Sequence, residues 1–151
     1  MDMFNLAQLT KHMVVKGVKD ADREPNKVVQ EAVRETLKTY LKGMVPGNPE
    51  VRMGVKEVAR GAMTGLLLSD SPMPPGALAV LGAVSELASA LPHDPTLLME
   101  STIAGIAEMR LLLSLDALAL IQEALDREYM GSGEVFRRCI AQPETRSRAV
   151  S

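Results

Sequence analysis

Apolar side chains recur along this chain at steps of three and four residues. From the N-terminus, Leu6, Leu9, Met13 and Gly17 follow one another at that spacing, with Phe4, Val14 and Val18 beside them. The pattern predicts an amphipathic helix over residues 3–18, closed by Gly17 and the run Asp20, Ala21, Asp22. A second helix is expected over 26–43, with Asn26 as its cap and Val29, Val33, Leu37, Tyr40 and Met44 on one face. Gly43, Pro46 and Gly47 stop it. The third spans 49–68. It opens with Asn48 before Pro49, an N-cap followed by proline at the first helical position. Glu50 suits the positive end of the helix dipole. Val51, Val55, Ala59, Ala62 and Leu66 face inward, and Asp70, Ser71 and the prolines up to Pro75 break the chain.

Residues 76–91 carry only Ser85, Glu86 and Ser89 as polar members, so a helix there must be buried nearly all round. Asp94 before Pro95 repeats the start signal of the third helix. From there the helical pattern runs unbroken to residue 129. A continuous helix of that length would reach roughly 50 Å, too long for a compact domain of this size. A break is therefore expected near residues 114–116, with Asp116 as the cap of the second piece. Gly131 and Gly133 end the run, and a short helix follows at 134–141. The fold expected is all-α, a compact bundle of five to six helices in which the apolar fourth and fifth form a central pair. Residues 1–141 make one bundle domain, and the polar stretch 142–151 makes a flexible tail.

Composition strengthens the helical reading. The chain has 151 residues, no Trp, two Phe, two Tyr and ten Met. Its core must be aliphatic, and the residue types that fill it are helix formers rather than the aromatic and β-branched residues that favour sheets. At this length a core forms without disulfides or a metal. The net charge of −2 gives no nucleic-acid signature. It is unevenly spread, however. Residues 1–60 hold 11 Lys/Arg against 8 Asp/Glu, whereas residues 61–131 hold 2 against 9. Such asymmetry can align subunits or draw a partner of opposite sign, or simply mark which helices are buried. The single cysteine, Cys139, excludes an internal disulfide and fits a reducing compartment. No basic region leads an apolar one at the N-terminus, so no secretory signal is visible and a cytoplasmic location is expected. The best candidate for a membrane span, 103–121, contains Glu108, Arg110 and Asp116, whose burial at a bilayer centre costs several kcal/mol. No transmembrane segment is expected.

Candidate chemistry is sparse. His12 and His93 lack a Cys, His or carboxylate at metal-ligand spacing, and no metal or other cofactor is expected. Arg137 and Arg138 beside Cys139 could lower a thiol pKa, but a nucleophilic cysteine needs a base, and the histidines are remote in sequence. Gly131, Ser132 and Gly133 read as a hinge, not a phosphate cradle. Glu100 and Glu108 lie eight residues apart on one helix face, where paired carboxylates can serve acid–base chemistry. Arg110 is the only basic residue between Arg60 and Arg127. If it is buried it needs a carboxylate, and Glu108 and Glu86 are candidates for a buried ionic group around it. The structural reading of these charges, a helix–helix seam, is preferred to a ligand cavity, and the protein is expected not to be an enzyme.

The most informative feature is a stripe on the third helix, where Gly54, Val58, Gly61 and Gly65 fall within about 60° of one another. Each interior glycine costs about 1 kcal/mol relative to alanine, so three on one face point to another backbone in close approach. That backbone belongs either to the same chain or to a second subunit. With the split charge, the stripe supports a non-enzymatic helical interaction module that self-associates or docks on a partner protein, with a homo-oligomer expected. The alternative is reversible binding to lipid or another hydrophobic surface, for which Phe4, Leu6, Leu9 and Met13 beside Lys11, Lys16 and Lys19 offer a basic amphipathic helix.

Overall fold

The computed structural model describes residues 3–20 and 24–141, with the side chains of Met3 and Phe4 excepted. The ten residues expected to form a tail, 142–151, lie outside them. Seven α-helices and one short 3-10 turn follow in order among the described residues: α1 (Met3–Asp20), α2 (Pro25–Leu41), α3 (Pro49–Leu68), α4 (Met73–Ala88), α5 (Pro95–Ala107), the 3-10 turn (Glu108–Leu111), α6 (Leu115–Glu128) and α7 (Ser132–Ala141). The architecture is the all-α multi-helix bundle expected. It has one or two more helices than the count of five to six.

The long fifth element is broken, as expected, but α5 already ends at Ala107, some seven residues before the expected place. The α-helix gives way to the tighter 3-10 turn at Glu108, and the chain re-enters a helix at Leu115. Ser114 rather than Asp116 is the cap: its side chain accepts the Ala117 N–H at 3.1 Å. Asp116 instead sits in the first turn, where its charge meets the positive end of the helix dipole. Asn48 and Asp94 cap α3 and α5 in the same way, accepting the N–H of Glu50 at 2.9 Å and of Thr96 at 3.0 Å, each ahead of a proline. Elsewhere proline opens helices read as starting later. Helix α2 begins at Pro25 rather than Asn26, and α4 begins at Met73, with Pro74 and Pro75 inside its first turn. First-turn N–H groups have no intrahelical acceptor, so the missing donor costs nothing there. Gly17 does not end α1. It lies within the helix, where a methyl group would stand 2.5 Å from Cγ1 of Val28.

Helix α3 runs through the centre of the bundle and packs on α1, α2, α4 and α5. Helices α4 and α5 pack on each other and on α3, which takes the central place that the pair was expected to hold. The core is continuous and aliphatic. It runs from Leu6 and Val14 through Val55, Met63 and Leu66 to Val80, Ile106, Ile121 and Phe136. Each fully buried Leu, Ile, Met or Phe contributes roughly 1.5–3 kcal/mol.

Candidate functional site

The glycine stripe lies where helices of the same chain come closest. A methyl group on Gly61 would meet the backbone of Ala7, with the Ala7 Cα at 2.8 Å, and one on Gly65 would come within 2.8 Å of Val14 Cβ. Both contacts are with α1. Gly54 lies under the ring of Tyr40, whose Cζ would be 2.7 Å away, and the Tyr40 hydroxyl donates to the Glu50 carbonyl at 3.1 Å. Val58 is fully buried beside them. On the other flank of α3, Gly105 of α5 rests against the Lys56 backbone, and a methyl there would be 2.7 Å from Ala59 Cβ. Small residues thus make a continuous seam through α1, α3 and α5. The sequence reading missed Gly105, a lone glycine on a nearly all-apolar helix, and Tyr40, read only as a core position.

The ionic group is brought together in part. Glu108 accepts from Arg110 Nη1 at 2.8 Å and faces Lys56 Nζ at 3.2 Å. All three side chains are about a fifth exposed. Glu86 is elsewhere: it lies exposed on α4 and pairs with Arg34 of α2 at 2.9 Å. Burial pushes the Glu108 carboxyl up, but the hydrogen bonds and charges of Arg110 and Lys56 outweigh it and hold the group below its ordinary 4.5. The cluster therefore ties the 3-10 turn to α3. Cys139 lies near it, half-buried. Burial raises the thiol, and the neighbouring Lys56 and Arg138 charges do not overcome that. Arg137 is engaged by Glu134 through two hydrogen bonds of 2.9 and 2.6 Å. The arrangement favours an inert thiol over a nucleophile.

The apolar face of α1 turns inward. Leu6 and Val14 are fully buried, and Met13 is half-buried with its sulfur accepting from the Thr36 hydroxyl at 3.5 Å. Leu9 alone of the described members is exposed, at 39%, and the Phe4 side chain lies outside the described residues. Between α1 and α2 runs an open groove of about 380 Å³, floored by Met13, Val28 and Ala32 and rimmed by Lys16, Asp20, Glu31 and Glu35. It does not include Glu86, Glu108 or Arg110.

Exposed apolar surface concentrates in another place, the outer rim formed by the 3-10 turn and α6. Leu111, Leu112, Leu115 and Leu120 are 64, 60, 81 and 56% exposed, and Met130 is 97% exposed just past the end of α6. The local sequence explains the arrangement. Helix α6 buries Leu118, Ile121, Ala124 and Leu125 against the bundle. That apolar stripe is enough to hold the helix, and it leaves Leu115 and Leu120 on the two borders of the solvent side. Between them lie the exposed Asp116, Ala119 and Glu123, with Arg127 one turn further on. The capping by Ser114 orients the turn, so that Leu111 and Leu112 end a 3-10 segment instead of continuing the buried face of α5. The uninterrupted apolar run had hidden these residues among core positions. The serine inside the run Leu113, Ser114, Leu115, Asp116 was the signal that they belong to a helix boundary.

No family model, curated protein or solved structure matches this chain. Among the described residues no three His, Cys, Asp or Glu side chains are grouped to hold a metal ion, and no helix is long and apolar enough to cross a membrane.

Proposed function

We propose that the chain is a non-enzymatic helical interaction module whose working surface is the outer rim of the 3-10 turn and α6. The observation that carries this reading is the set of four leucines, each more than half exposed, placed within ten residues, whereas Leu9, Val45, Met53 and Leu68 are exposed singly elsewhere. Isolated exposed leucines need no explanation, but four of them within ten residues of one turn and the helix after it favour a contact surface. Together the four leave the equivalent of about two and a half leucine side chains in water. Covering them contributes roughly 4–8 kcal/mol, against an association cost of about 4–15 kcal/mol. Contacts through this rim are therefore weak and reversible unless polar pairs add to them. The glycine stripe of α3 does not compete for the role, because α1 and the Tyr40 ring of α2 already fill it. The half-buried single cysteine fits a module working in a reducing compartment.

A photo-crosslinking amino acid placed at Leu115, and separately at the exposed Lys38 on α2, tests the reading in cells. Protein adducts formed from position 115 and not from 38 are expected. Equal yields from both positions, or none from 115, would contradict it.

A further inference from the structure

Asp116, Ala119, Leu120 and Glu123 stand at positions i, i+3, i+4 and i+7 on the solvent side of α6, and all four are exposed. Four residues at that spacing frame the hole into which a side chain of a facing helix inserts. Ala119 keeps the hole open, because its methyl group lets a second helix axis come within the about 8–10 Å of ordinary helix packing. Leu120 walls one side. Leu115 stands beside Asp116 at the N-terminal end, and Leu111 and Leu112 precede it in the turn, Leu112 no more than about 11 Å from Leu115 along the chain.

The two ends of the hole are carboxylates. Asp116 and Glu123 are seven residues apart, so they project in directions within about 20° of each other and lie about 10.5 Å apart along the axis. Among the described residues no hydrogen bond or ion pair engages either of them. Asp126, by contrast, is held by the N–H groups of Gly131 and Gly133 at 3.1 and 3.3 Å. From Leu111 to Glu128 the exposed charged residues are Asp116, Glu123, Asp126, Arg127 and Glu128, four acids against one base. We propose that the rim takes an amphipathic helix of a partner protein, one that carries a large apolar residue between two bases seven residues apart.

The partner's apolar residue fills the hole over Ala119 and against Leu120. Its two bases, each three or four residues from that knob, reach Asp116 and Glu123. Lys and Arg suit the place because their aliphatic stems cover apolar surface while the charged head stays in water. The next apolar turn of such a helix runs past the start of α6 onto Leu115 and Leu112. The leucines alone make a weak contact, and the two charge pairs are the polar supplement that makes it selective. The same charges turn away other occupants. Anionic lipid and nucleic acid meet an excess of acids, and a second α6 would bring further acids against Asp116 and Glu123. This inference rests on the rim being an interaction surface, and the test separates the two claims.

The probe is a lactam-stapled helical peptide with a leucine at its centre and lysines three residues before and four residues after it, beside the same peptide with glutamates for the lysines. Each is titrated into the isotopically labelled chain and followed by NMR. The lysine peptide is expected to shift amides of residues 111–127, and the glutamate peptide to shift none. Asp116→Asn/Glu123→Gln, with circular dichroism confirming its helicity, is expected to bind the lysine peptide roughly tenfold more weakly, the loss of two exposed ion pairs. Glu24→Gln/Glu35→Gln on α2 leaves that binding unchanged. Equal shifts from the two peptides, or equal affinity of the Asp116→Asn/Glu123→Gln chain and wild type, would overturn the proposal. In cells, the adducts formed from position 115 are expected to be lost in the Asp116→Asn/Glu123→Gln background. Adducts that persist undiminished overturn the partner's chemistry and leave the interaction reading standing. Adducts with the mass of two chains, or flotation of the chain with anionic vesicles, overturn the partner helix in favour of a second copy or a membrane. No adduct from position 115 in wild type overturns the interaction reading itself.

Discussion

The seam between α1 and α3 is built from glycines on one face of a helix and the rim from leucines of the 3-10 turn and the borders of α6, and the two do opposite things. At the seam, glycines bring backbones together until a single added methyl at Gly61 has nowhere to go. At the rim, leucines stand in solvent with nothing from the described chain over them. The difference lies in what the residue choice costs the folded chain. A helix tolerates glycine only where close packing offsets the loss of about 1 kcal/mol per site, so a glycine face belongs to the fold. A leucine border on a helix already anchored by Leu118, Ile121 and Leu125 adds nothing to the fold. Its retention in water is what a contact with another molecule requires.

A single substitution does most damage at the seam. Gly61→Val must push α1 away from α3, because the atoms it meets are backbone atoms of Ala7 rather than a movable side-chain tip. A loss of about 3 kcal/mol is expected in urea unfolding, with reduced helicity at the midpoint of the wild-type curve. Gly82→Ala serves as the control, since its methyl would find only the Tyr129 hydroxyl at 3.4 Å and Gln30 at 3.8 Å. There the helix propensity gain dominates, and the variant should match or exceed wild type by up to about 1 kcal/mol.

The next effect is at the tether between the two regions. Glu108→Gln leaves Lys56 and Arg110 facing each other without their carboxylate, for a loss of about 1–3 kcal/mol at neutral pH. The pH dependence follows from the direction of the shift. The folded-state pKa of Glu108 lies below its ordinary 4.5. Its contribution is therefore fully present above 4.5 and is lost as pH falls through the lower folded value. The gap between wild type and Glu108→Gln should narrow as unfolding is followed below pH 4.5. A gap that stays constant down to acid would show that the carboxylate charge is not what holds the turn.

The smallest effect on stability belongs to the rim. Leu115→Glu, at an 81% exposed site, should leave unfolding within about 0.5 kcal/mol of wild type. Leu125→Ala on the inward side of the same helix, where Leu125 is fully buried, should cost about 2–5 kcal/mol. Near the tether, alkylation of Cys139 by iodoacetamide at neutral pH should run slower than that of a free thiol, since burial raises its pKa. A faster rate would contradict the inert reading.

The helical class, the caps of α3 and α5 and the restart of the chain as a helix near 115 were legible because each has a local cause, whereas the end of α5 at Ala107 was not. Asn48 before Pro49 and Asp94 before Pro95 encode a helix start in two residues. The glycine stripe was legible as a close approach but not as a particular one. A missing side chain carries no information about what fills its place, and only the fold shows that Ala7, Val14 and Tyr40 do. Glu86 was drawn toward Arg110 because both sat in a charge-poor region of the sequence, whereas the bundle sets α4 beside α2 and gives Glu86 to Arg34. The rim was the least legible. Leucines at 111, 112, 115 and 120 have the same spacing signature as core positions, and their exposure depends on where a neighbouring 3-10 turn stops.

The most direct test of the claim that this rim is the working surface is photo-crosslinking in cells from position 120 on α6 beside position 38 on α2. The expected result is protein adducts from position 120 and none from position 38. Equal yields from the two positions, or none from 120, would show that the rim is not a contact surface.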